Sequence, residues 1–160
     1  MAEDEKTSVM SVNATLPQLR MPEVRNDESY LYSATDFYNG AKELIDADGN
    51  LRSSVLLIAQ STENVLKAFL ACKGVTIGTL STEYNHNLIK MWEDSAKLGL
   101  PIDANPPAWC EKLDTLLQKG EFFLRYPIKL HGTSYPNVQS AISGLESLMT
   151  AVAKETEKSP

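Results

Sequence analysis

Between Leu51 and Leu70 the chain carries apolar side chains on more than one face of a helix. The set is Leu51, Val55, Leu56, Leu57, Ile58, Ala59, Val65, Leu66, Ala68, Phe69 and Leu70. A helix lying on the surface of a domain has an apolar stripe on one side only. One with so wide an apolar surface needs cover from several directions, so it belongs at the centre of a bundle or in a subunit interface. Asn50 is a good cap at its start, and Gly74 follows its end at Lys73.

The neighbouring segments supply that cover as one-sided stripes. From Ser29, Leu31, Ala34, Phe37, Tyr38, Ala41, Leu44 and Ile45 recur every three or four positions. Asp46 to Asn50 ends this first helix, with Gly49 as the expected left-handed stop. Residues 74–85 read as a polar turn. A third helix is expected from about Asn85 to Lys97, with Leu88, Met91, Trp92 and Leu98 facing inward and Gly99 closing it. Pro106-Pro107 suits entry into a fourth, striped by Trp109, Leu113, Leu116, Leu117, Phe123 and Leu124 and ended by Pro127. Val138, Ala141, Ile142, Leu145, Leu148, Met149 and Val152 mark the last. No hairpin signal joins two alternating runs. The expected fold is therefore all-α, an antiparallel up-and-down helical bundle of about five helices. Its expected limits are residues 28–155, between a mobile N-terminal arm (1–27) and a disordered tail (156–160).

A chain of 160 residues with 42% hydrophobic content can bury one core. Its net charge of −6 would repel polyanions, so any nucleic-acid contact needs a local basic patch. Cys72 and Cys110 form no CxxC pair and read as buried free thiols on helices. The acidic opening, Met-Ala-Glu-Asp-Glu-Lys, is unlike a secretory signal, and no wholly apolar run approaches the ~20 residues of a membrane span. A cytoplasmic protein with no membrane partner is the expectation.

Most familiar chemistries are missing. There is no phosphate loop, no GxGxxG after a strand, no GxSxG, no HExxH and no Cys/His cluster. No metal and no cofactor is expected. What stands out is Arg125-Tyr126-Pro127-Ile128-Lys129-Leu130-His131, three basic or titratable groups and an aromatic ring without an acid. Arg125 suits a bidentate phosphate contact, Tyr126 a stacked base, Lys129 added positive charge and His131 proton transfer near neutral pH. Equally, Arg125 would satisfy carbonyls at a helix end, with Tyr126 in the core and His131 in a loop. Glu63 and Lys67, spaced i, i+4 in the favourable order, contribute about 0.2–0.5 kcal/mol on an exposed face.

Several short stretches together resemble the HEPN (higher eukaryotes and prokaryotes nucleotide-binding) family. They are the Ser33–Leu44 helix, the Ala59-Gln60-Ser61-Thr62-Glu63-Asn64-Val65-Leu66-Lys67 stretch, His86-Asn87-Leu88, and Arg125-Tyr126-Pro127. The resemblance covers about residues 29 to 153. It implies a dimeric bundle that binds a nucleotide or RNA, contacted by Arg125, Tyr126, Lys129, Glu63, Lys67 and His86. Arg125 and His131 fit the family's R-x(4–6)-H motif, which implies a metal-independent endoribonuclease with His131 as base and Arg125 as phosphate clamp. Tyr126 and Pro127 depart from that motif and resemble members that bind without cleaving. The implied dimer would form through the long second helix and the site region, with a partner protein encoded alongside as a further expectation. A non-catalytic protein–protein interaction module is the alternative.

Overall fold

The computed structural model describes residues 24–118 and 134–158. It is an all-α bundle, with no strand among the described residues. The elements are α1 (Asn26–Asp46), α2 (Leu51–Cys72), α3 (Ile77–Thr79) running into a π-type turn (Leu80–Tyr84), α4 (Leu88–Lys97), α5 (Ala108–Gln118) and α6 (Val138–Thr156).

The helix with apolar residues on several faces is the central one. α2 packs against α1, α4, α5 and α6, and Val55, Ile58, Val65, Leu66, Phe69 and Leu70 lose all contact with solvent. Its length and apolarity meet the requirements of a membrane span, yet most of it is buried inside the bundle. Asn50 caps it, the side-chain oxygen accepting from the Ser53 N–H at 3.0 Å.

α1 and α2 form a tight antiparallel hairpin. Ala34 and Ala41 on α1 are fully buried, and a Cβ at Gly40 would sit 3.3 Å from Leu57. These small residues let the two helices approach closely. The Ser61 hydroxyl then donates to the Ala34 carbonyl across the gap at 2.7 Å. Ser61→Ala should cost about 1 kcal/mol, read as a lower urea midpoint with unchanged m-value. A loss under ~0.3 kcal/mol would mean that this bond contributes nothing net.

α6 crosses back along α1. The Tyr38 hydroxyl donates to Glu146, Lys42 Nζ lies 3.5 Å from the same carboxylate, and Lys73 at the end of α2 pairs with Glu155 at 3.8 Å. α6 is therefore antiparallel to α1 and runs in the same direction as α2.

Several boundaries differ from expectation, each for a local reason. α1 starts at Asn26 rather than Ser29, because the Arg25 N–H donates to Glu28 Oε2 (3.1 Å) and the Arg25 guanidinium pairs with Asp27 (2.9 Å). The left-handed residue after α1 is Asp48, φ 51°; Gly49 is needed instead because a Cβ there would meet the Leu44 carbonyl oxygen at 2.8 Å. The polar turn at 74–85 is largely helical. Thr76 caps it, and only Leu80 and Tyr84 anchor it in the core, too few to form a readable stripe. α4 begins at Leu88 rather than Asn85, since Asn85 takes φ 47° and Asn87 is the cap, and Leu98, expected to face inward, lies past the last turn and is exposed. Cys110 is buried as expected, whereas Cys72 is only half-buried.

Candidate functional site

The polar middle of α2 is built around one carboxylate. Glu63 and Lys67 stand one turn apart and both face inward, only 5% and 9% exposed. Burial sets this pair apart from an exposed i, i+4 pair. Lys67 Nζ donates to Glu63 Oε1 at 2.6 Å. The other oxygen, Oε2, lies 2.8 Å from His86 Nδ1.

Local sequence explains why His86 arrives there. In the π-type turn the Asn85 N–H reaches the Leu80 carbonyl five residues back, at 3.1 Å. π turns insert an extra residue into a helical path and recur at functional sites. Asn85 then takes a positive φ, which asparagine tolerates better than most residues. Asn87 accepts from the Lys90 N–H at 2.8 Å and starts α4. His86 is thus fixed between a reversing residue and a cap. The turn itself is held to α4 by the Tyr84 hydroxyl donating to Asp94 (3.1 Å) and by Lys90 Nζ, 4.7 Å from the centre of the Tyr84 ring.

The chemistry follows from the inventory of donors and acceptors. An ionised carboxylate only accepts, so the ring nitrogen facing it carries the proton. Glu63 therefore sets the His86 tautomer and orientation. The ammonium of Lys67 balances the Glu63 charge.

Asp114 of α5 secures the same end of α4. Its Oδ1 accepts from the Leu88 N–H (2.8 Å) and lies 3.4 Å from the Ile89 nitrogen. Burial holds this carboxyl above the ordinary aspartate range, against the downward pull of those two backbone N–H groups. A raised folded pKa means that the associated stability is fully present below the unfolded value, about 4, and is lost as pH rises through the folded one. Asp114→Asn keeps an acceptor and removes the charge. It should unfold at a modestly higher urea midpoint at pH 7, the difference vanishing below about pH 4. A lower midpoint at pH 7 would show that the charge strengthens the cap more than burial penalises it.

Of the residues singled out by sequence, Glu63, Lys67 and His86 come together in one hydrogen-bonded set. Arg125, Tyr126, Lys129 and His131 lie outside the described residues. Asp114 and the π turn had no local signal, because their partners are distant in sequence or carried by backbone geometry. Cys110 is fully buried, and burial pushes its thiol well up, away from the thiolate form. Among the described residues, no three His, Cys, Asp or Glu side chains gather as a metal site would require. Comparison with protein-family models, curated proteins and solved structures finds no match to this chain.

Proposed function

We propose that this protein is a HEPN-like, dimeric domain of the cytoplasm that binds a nucleotide or RNA, with Arg125 and His131 as a candidate metal-independent ribonuclease pair. One observation carries this reading. Glu63, Lys67 and His86, which the resemblance to that family marks in two separate stretches, meet at a single buried carboxylate. In the proposed chemistry Glu63 orients His86, Arg125 clamps a phosphate, and His131 takes the proton from a ribose 2′-hydroxyl. Tyr126 and Lys129 add a stacking face and positive charge. The dimer forms through α2 and the site region, and a partner protein encoded alongside belongs to the same reading.

The test is RNA cleavage by the purified protein in the presence of a chelator. Cleavage is expected to fall at least about a hundredfold in both Arg125→Ala and His131→Ala. Activity surviving both changes removes the catalytic assignment. Nucleotide at about a hundred times its Kd should raise the Tm by roughly 5–10 °C. The second reading, a non-catalytic interaction module, is favoured by one feature: both oxygens of Glu63 are already engaged within the set. It gains if neither cleavage nor a nucleotide-induced shift is found.

A further inference from the structure

A second place on the molecule combines shape with charge, and it shares no residue with the Glu63 set. A hollow of about 360 Å³ opens where α5 meets the start of α6. Trp109 and Tyr135 supply aromatic walls, Ser140 and Asn137 polar edges, and Lys112 is the one charged residue lining it among the described residues. Lys112 forms no ion pair among the described residues, although the protein as a whole is acidic.

The Trp109 ring is held in place from two sides. Trp92 meets it edge-on, with centroids 6.0 Å apart and planes at 82°. On α6, Gly144 leaves room for the indole, since a Cβ there would lie 2.3 Å from Trp109 Nε1. Trp109 also lines a neighbouring hollow beside Pro101, Ile102 and Pro107. An aromatic wall fixed in this way loses little freedom when a ring stacks on it. The volume lies at the small end of the range for ligand pockets.

We propose that this hollow binds a flat aromatic ring carrying one anionic group, stacked on Trp109 and Tyr135 with the anion at Lys112. The anion selects for the cation and the ring for the aromatic walls. A carboxylate and a phosphate would satisfy the same arrangement, so two probes separate them: indole-3-acetate and adenosine 5′-monophosphate. Their uncharged counterparts are indole-3-acetamide and adenosine.

The chain has two tryptophans, so the ¹⁵N-labelled full-length protein gives two indole N–H signals as direct reporters. The Trp109 signal should move saturably with at least one of the two anions. That anion should bind at least about fivefold tighter than its neutral counterpart, the size expected of one partly exposed charge contact. Lys112→Met should abolish this preference and Lys112→Arg retain it. The anion that binds names the source. The proposal is overturned if neither anion moves the Trp109 signal, if charged and neutral probes bind alike, or if Lys112→Met leaves the preference intact. Binding of indole-3-acetate alone would support this hollow and say nothing for the nucleotide reading, so the two fail separately.

Discussion

Replacing Glu63 by leucine is expected to destabilise the protein by about 3–5 kcal/mol, the usual consequence of stranding one half of a buried ion pair. For a chain of this size that is a fall in Tm of roughly 6–20 °C. Leucine fills nearly the same space, so packing is not the cause. Lys67 Nζ loses its acceptor at 2.6 Å in surroundings with little access to water, and the part-exposed His86 loses one at 2.8 Å. The informative partner is the double change Glu63→Leu with Lys67→Met. With both charges gone, most of the loss should be recovered, because buried pairs replaced by apolar residues are often neutral in stability. A double variant as unstable as the single one would show that the loss comes from His86 and the Asn85–Asn87 turn rather than from the stranded ammonium. The pair also separates stability from function. A recovered double variant that no longer shifts with nucleotide assigns the set to binding; one that still does makes it part of the scaffold.

Gly144→Val should cost about 3 kcal/mol, at the upper end of overpacking penalties. A Cβ at that position would lie 2.3, 2.5 and 2.8 Å from three atoms of the Trp109 ring. The ring cannot simply turn aside, since Trp92 blocks it edge-on and itself donates from Nε1 to the Asp103 carbonyl at 2.8 Å. Denaturant unfolding of Gly144→Val, alone and with Trp109→Ala, checks the cause. Removing the indole should restore part of the loss relative to Trp109→Ala alone, a coupling of 1 kcal/mol or more on the scale of ~0.5–3 kcal/mol seen between touching residues. Strict additivity would mean that valine harms α6 by some route other than this contact.

Much of the fold was legible because burial imposes periodicity. The wide apolar surface of α2 could only be satisfied at the centre, and it is there. Gly74 and Gly99 sit at positive φ (89° and 95°), as their positions after helix ends suggested. The segment 77–84 was not legible, since its threonines and single-turn length hide a helix that two core anchors hold in place. The site was half legible. A Glu and a Lys four apart announce a helical pair, but spacing is silent on which face is buried. The bond from His86 to Glu63 spans 23 positions and the Asp114 cap on α4 spans 26, and no local pattern encodes either. Arg125 and His131 lie outside the described residues, so their part rests on the sequence alone.

The π-type turn before His86 makes the length of the backbone as decisive as any side chain. Its five-residue reach from Leu80 to Asn85 holds one residue more than an α-helical turn would. Dropping one exposed position, Thr82 for instance, would let the helix close with ordinary geometry and swing everything after it by about 100°. The imidazole would leave the carboxylate although Glu63, Lys67 and His86 were all unchanged. Whether they meet is thus sensitive to a three-base deletion in a stretch where most substitutions would pass unnoticed.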